Sequence, residues 1–228
     1  MFQARMARWL TPLAVLVTIL AGAALRAHAE TTPPSDPFAA FDLPDVWEER
    51  FWNDPEVKAL LSLEPKALAD LVPEQAGLRF CRCPKCGAAE SESPLQWSPS
   101  KPEVVTCKVC GVSVPNDEFP AQADKKVPEE TVEVLPGVVH HYPYHVVPEL
   151  TQTYPEERLY LSARRDYEAR EYLARAALYA AVKYHSQPEA ARDPALARLA
   201  AVILLRFAQV YPQYATHLDQ PREPKLIQ

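Results

Sequence analysis

Cys83-Pro84-Lys85-Cys86-Gly87 and Cys107-Lys108-Val109-Cys110-Gly111 are two copies of one five-residue pattern. The chain has five glycines in 228 residues, and two of them follow a CxxC at the same place. A CxxC turn wraps two sulfurs around one point. The next residue often needs positive φ, which glycine adopts without a Cβ clash. Two such turns at this separation supply four thiolates, the donor set of a closed tetrahedral zinc site. The pattern predicts a zinc ribbon over 79–120, with Cys83, Cys86, Cys107 and Cys110 as ligands of a structural zinc ion. A pair of disulfides or a redox CxxC would use the same residues. A redox motif normally opens a helix, whereas glycine and short polar or β-type residues follow Cys86 and Cys110. Cys81 is the fifth cysteine. It stays open as a substitute for Cys83, a free thiol or a partner elsewhere, and the repeat favours Cys83.

Outward from the knuckles, the first 29 residues have the three parts of an export signal. Arg5 and Arg8 precede an uncharged, mostly apolar run over 9–25, and Ala27-His28-Ala29 is an A-x-A cleavage site. An uncleaved anchor is the competing reading, and the run is barely long enough to span a bilayer. Either reading predicts a body outside the cytoplasm, periplasmic or extracellular. Removing Arg5, Arg8 and Arg26 takes the formal charge from −6 to −9. An acidic chain with no basic stripe argues against a nucleic-acid partner.

Eighteen of the 24 prolines lie between Glu30 and Pro155, which leaves little room there for long helices. The region 30–78 reads as a polar leader followed by short helices near 55–62 and 65–72, the first capped by Asp54 with Pro55 behind it. Its aromatics, among them Phe38, Phe41, Trp47, Phe51 and Trp52, suit a small core docked on the helical part better than a sugar-stacking platform. Short strands are expected at 78–80 and 104–106, with Trp97 packed on the metal loops. The stretch 121–161 reads as a charged loop and then a hairpin turning at Pro136-Gly137. His140, His141 and His145 crowd there with Tyr142 and Tyr144. His and Tyr are the acid–base pair of many lyases and a second metal site is conceivable, but an exposed hairpin explains the cluster more simply.

Two helices over 162–217 follow, with a short tail at 218–228. Ser162 is the expected cap of the first, which runs to about 184 with Arg164, Arg165, Glu168, Arg170 and Glu171 on its wetter side. Asp193 caps the second, with Pro194 in the first turn. Residues 195–210 are apolar over most of the circumference, so one partner helix cannot cover them. Antiparallel pairs of this kind normally stack on further pairs. The sequence reads as the opening section of a longer protein that associates through the open helix face. The fold class expected is mainly α with a zinc-ribbon insert.

Three runs carry a family likeness: Tyr172-Leu173-Ala174-Arg175-Ala176-Ala177, the segment from Ala200 to Ala208, and Val210-Tyr211-Pro212-Gln213-Tyr214. They resemble the first helical hairpin of heparinase II/III-like proteins, particularly the large exported planctomycete type. In those a CPxCG…CxxCG insert precedes a Tyr-Pro-Tyr-His strand, as Cys83–Gly87, Cys107–Gly111 and Tyr142–His145 do here. The likeness spans roughly 80–217. It implies the start of an incomplete (α/α) toroid, a later β-sheet domain, and β-elimination of uronic-acid polysaccharides. In that chemistry a base takes the C5 proton, a Tyr or His protonates the leaving oxygen, and polar groups neutralise the carboxylate. The family's acid–base residues lie on later helices and the following domain, so no catalytic residue carries over. The alternative is a stand-alone exported zinc-binding adaptor for a glycan or partner protein.

Overall fold

Asp54 and Asp193 each do the same local job. Asp54 Oδ1 accepts the Glu56 N–H at 2.9 Å and starts helix α1, Pro55–Ser62. Asp193 Oδ1 accepts the Ala195 N–H at 2.9 Å and starts helix α4, Pro194–Val210. In both, a proline occupies the first turn, where no N–H partner is needed. The computed structural model describes residues 53–89, 94–121, 127–150 and 157–214. These belong to one compact unit, Asp45–Gln228. The expected export signal, the leader, the aromatics up to Trp52 and the tail lie outside the described residues.

The architecture is mixed. Two long helices, α3 (Leu161–Ser186) and α4, pack as an antiparallel pair beside two small antiparallel sheets. A second short helix, α2 (Pro65–Asp70), follows α1. The first sheet contains β1 (Leu95–Trp97), β2 (Val105–Cys107) and β3 (Ser113–Val114) in sequence order. Its register sets Leu95 opposite Cys107 and Trp97 opposite Val105. The second is a hairpin of β4 (Glu129–Leu135) and β5 (Val138–Pro143), turning at Pro136-Gly137 with Gly137 at φ 79°.

Helix α3 sits at the centre. It contacts α4, both longer ribbon strands and β5. Trp97 of β1 meets Tyr172 of α3 edge-to-face, with centroids 5.4 Å apart. Trp97 Nε1 also donates to Pro102 O at 3.0 Å, and the residue shares its buried cluster with Cys83 and Cys107. Helix α3 starts at Leu161, its preceding residue Tyr160 makes no side-chain cap, and Ser162 lies inside the helix. No strand forms at 78–80. There the Leu78 N–H bonds the Ala163 carbonyl at 2.9 Å instead.

Arg164 departs most from its expected place. It is only 3% exposed. Its guanidinium donates to the Arg79 and Leu95 carbonyls and pairs with Glu168. Both carbonyls belong to chain flanking the first knuckle, so one helical side chain fastens the ribbon to α3. A buried cation is tolerable only with such partners.

Helix α4 is covered on more than one side. Leu199 and Ile203 are fully buried, and α1 and α2 lie against the helix as well as α3. Arg198 donates to the carbonyls of Leu61 and Leu63, which closes the gap between α1 and α2. Leu204 and Leu205 nevertheless stay 53% and 65% exposed, and Tyr211 70%. The segment Pro194–Gln213 is long and apolar enough, by composition alone, to cross a bilayer. Its inner face is the core of the helical pair.

Gly77 sets how closely chain and helix approach. Its φ is +75°, and a Cβ there would lie within 3.0 Å of Tyr167 N, Ala163 O and Tyr167 Cα, all backbone. Gly111 has φ +74° but open space around it. Gly111→Ala is expected to cost only the left-handed conformation, about 1–2 kcal/mol. Gly77→Ala adds overlap that no rotamer relieves and should cost more than about 3 kcal/mol. Urea unfolding of the two variants beside the parent checks the difference. Equal midpoints would show that the helix yields at Ala163–Tyr167.

Candidate metal centre

The two knuckles are built by the same backbone bonds. Cys83 N–H donates to Ala88 O at 3.2 Å, and Cys107 N–H to Val112 O at 2.8 Å. Gly87 N–H returns to Cys83 O at 3.0 Å, and Gly111 N–H to Cys107 O at 2.8 Å. Both glycines take positive φ, 69° and 74°, as the repeat predicts. Strand β2 delivers Cys107 to the second turn, and Lys108 N–H bonds Pro94 O at 2.8 Å, which anchors that turn beside β1.

The four sulfurs meet. All lie within 4.8 Å of one another. Cys83 and Cys110 sulfurs are 3.7 Å apart, and those of Cys86 and Cys107 3.9 Å. A tetrahedron with metal–sulfur bonds of about 2.3 Å has edges of about 3.8 Å. The spacing therefore fits an ion at the centre, and it is far longer than a disulfide. Cys83 and Cys107 are buried, whereas Cys86 and Cys110 are exposed. Cys81 is buried, its sulfur contacts Arg82 O at 3.6 Å, and it is not among the four. Cys83, Cys86, Cys107 and Cys110 make a plausible metal site.

Backbone donors are aimed at these sulfurs. Burial pushes the Cys83 thiol up to about 12, even though the Cys86 and Lys85 N–H groups point at it. Burial raises Cys86 as well, partly offset by the Ala88 N–H. Cys107 is also desolvated, but the N–H groups of Cys110 and Val109 and the sulfurs of Cys83 and Cys110 bring it down to about 7. N–H groups directed at sulfur stabilise thiolate, the form that binds metal. Four sulfurs around one ion would fill its tetrahedron and leave no position for a reacting water.

The histidine–tyrosine stretch converges only in part: the rings of His140 and Tyr142 meet edge-to-face with centroids 6.4 Å apart. Strand alternation separates these two from His141. His140 and Tyr142 face inward, and His141 faces out to pair with Glu129 at 3.0 Å. His145 bonds Pro120 O through Nε2 at 3.0 Å and meets Phe119 edge-to-face. Tyr144 lies under the Arg158 guanidinium at 4.7 Å and beside Tyr160, whose hydroxyl donates to Glu130 at 2.6 Å. Among the described residues, only the four cysteines have metal-ligand grouping.

Two features of this region lie outside what local sequence rules predict. Arg164 is buried where helical periodicity puts it on the wet face, and its i,i+4 partner Glu168 is the one hint of a buried pair. Gly77 is the other, and a glycine in a chain so poor in glycine is itself a signal.

No protein-family model, curated protein or solved structure matches the chain.

Buried His140 on β5 and half-buried His145 just beyond it couple the stability of this region to acid. Burial lowers the pKa of His140, with Glu74 pulling it up and His141 down. Burial also lowers His145, against its bond to Pro120 O. Each is more basic when unfolded, so its contribution is intact above about pH 6.5 and declines as pH falls toward the lowered native value. Burial raises Asp166 and Glu168 in spite of Arg165 and Arg164, and those carboxyls act in the opposite sense. The comparison must therefore be between variants. His140→Leu with His145→Leu should lose less stability between pH 7 and pH 5 than the parent, read as denaturant midpoints. An equal loss would place the acid sensitivity elsewhere.

Proposed function

We propose that the four-cysteine cluster holds one structural zinc ion. The chain is then a zinc-stapled, non-catalytic section of an exported polysaccharide lyase-like protein that acts on uronic-acid glycans by β-elimination. The convergence of four sulfurs within 4.8 Å supports the metal reading. The order of knuckles, hairpin and helical pair supports the section reading, because it is the order of the exported heparinase II/III-like proteins that the sequence resembles. On this reading α3 and α4 open an incomplete (α/α) toroid. The exposed Leu204, Leu205 and Tyr211 then face the next helices of that ring. Large apolar side chains grouped on one face normally mark an interface.

A stand-alone adaptor for a glycan or partner protein is the second reading. It is favoured by α1 and α2, which already cover a second side of α4. In both readings the metal holds the ribbon and takes no part in chemistry.

Metal analysis of reduced protein purified without added zinc should find one zinc ion per chain. Disulfides with no metal would overturn the zinc reading. Cys107→Ser should lose the ion and unfold the ribbon while the helical pair keeps most of its circular dichroism, because the binding energy of such a site is folding energy.

The purified chain should generate no unsaturated-uronate absorbance from heparin-like, alginate-like or ulvan-like polymers. A lyase site needs a base, an acid and a carboxylate-neutralising group on one sugar. Within the hairpin His140 and Tyr142 share the inner face while His141 faces out, so the three do not meet on one sugar. Light scattering should show concentration-dependent association through the α4 face. A stable monomer would favour the adaptor.

A further inference from the structure

The sulfur cluster has a second property beyond its fit to a metal. Each knuckle offers one buried and one exposed cysteine, Cys83 with Cys86 and Cys107 with Cys110. Across the knuckles, buried Cys83 touches exposed Cys110 at 3.7 Å, and exposed Cys86 touches buried Cys107 at 3.9 Å. An exposed thiolate is the one a small oxidant reaches, and a second thiolate in contact with it completes a disulfide. The sulfurs of each cross-knuckle pair need to approach by only about 2 Å to bond. A bond inside a knuckle would disturb more. The Cys86 N–H points at Cys83 Sγ and the Cys110 N–H at Cys107 Sγ, inside turns already closed by the Gly87 and Gly111 N–H bonds. Bonds between the knuckles leave both turns as they are.

We propose that the cluster is an interchangeable staple. A peroxide oxidant converts the four-thiolate zinc site into two cross-knuckle disulfides, Cys83–Cys110 and Cys86–Cys107, and releases the metal while the ribbon stays closed. This rests on the zinc reading above. In each pair the exposed thiolate attacks hydrogen peroxide. The O–O bond breaks, one hydroxide leaves, and sulfur is oxidised to sulfenic acid. The buried thiolate then attacks that sulfur, the S–O bond breaks, and a second hydroxide leaves as the S–S bond forms. Two thiolates lose two electrons, and one peroxide gains them. The whole site thus consumes two peroxides and gives two disulfides, one zinc ion and four hydroxides. Cys81 takes no part. Export would place the protein where such oxidants and disulfides occur.

The test starts from the reduced, zinc-loaded chain. Zinc content measured before any oxidant is added decides the underlying reading by itself. A reduced protein that holds no zinc overturns that reading and this inference together. With zinc present, hydrogen peroxide should release the ion at two equivalents and leave one alkylatable thiol, Cys81. Trypsin then reports the pairing. Lys85 and Lys108 each lie between the two cysteines of a knuckle, and Lys101 is shielded by Pro102. Cys86 and Cys107 therefore share a peptide. The proposed bonds give an internal loop in that peptide, plus a separate link between the Cys83 and Cys110 peptides. Either other pairing joins all three peptides and overturns the proposal.

The oxidised protein should keep the near-ultraviolet signal of Trp97, whereas the reduced protein stripped by chelator should lose it. Loss in both would show that the disulfides do not replace the metal. Cys81→Ser should leave the stoichiometry and the map unchanged. A changed map would give Cys81 a part and overturn the scheme. Thiol reductant with added zinc should restore the starting state, and failure to do so would mean over-oxidation instead of exchange.

Discussion

Four cysteine sulfurs gathered within 4.8 Å impose the constraint on which the rest of this structure depends. As thiolates they repel one another, and a bound cation, protonation or oxidation relieves that repulsion in so small a volume. Holding them together fixes two turns that are far apart in sequence, and the strands β1 to β3 are too short to do so alone. The ribbon is thus a small sheet organised around a point. Its core, Leu95, Val105 and Val114, is fully buried but modest. A sheet of this size has too little apolar area to be stable without a staple or a helix to pack on.

The helix that supports it is α3. Arg164 reaches from the helix to carbonyls on either side of the first knuckle, while Trp97 lays its ring edge against Tyr172. On the neighbouring turn of the helix, Gly77 brings the incoming chain into backbone contact with Ala163 and Tyr167. These contacts make α3 a common wall for the ribbon, the β4–β5 hairpin and α4. Disturbing the cysteine turns would consequently be felt along the helix through a hydrogen-bonded cation, which tolerates little displacement once buried.

Helix α4 shows how coverage divides a uniformly apolar helix. Its inner side is shared between α3 and the short helices α1 and α2, with Arg198 tying the loop at Leu61 and Leu63. Its outer side keeps Leu204, Leu205 and Tyr211 open to water. The lyase-section and adaptor readings differ in what meets this outer side, and they share the same ribbon, hairpin and helical pair. The same helix therefore supplies the core of the described unit and the surface by which the two readings are separated.

The two knuckles, the glycines that close them, the Pro-Gly turn and the aspartate caps of α1 and α4 were legible in the sequence. Each rests on a local rule: a positive φ, a short side chain accepting an N–H, or a fixed spacing of ligands. The inward–outward alternation that splits the histidines was legible for the same reason, since side chains in a strand alternate by geometry. Local rules could not place Arg164 in the interior, replace the strand at 78–80 by a bond to Ala163, set Trp97 against Tyr172, or bring α1 and α2 across α4. Those outcomes depend on which distant carbonyls, rings and apolar faces are near enough to satisfy one another. The sequence by itself determined most of the local elements and the four cysteines that cluster. Only the tertiary structure decided which surfaces they bury, because burial is a property of neighbours and not of residues.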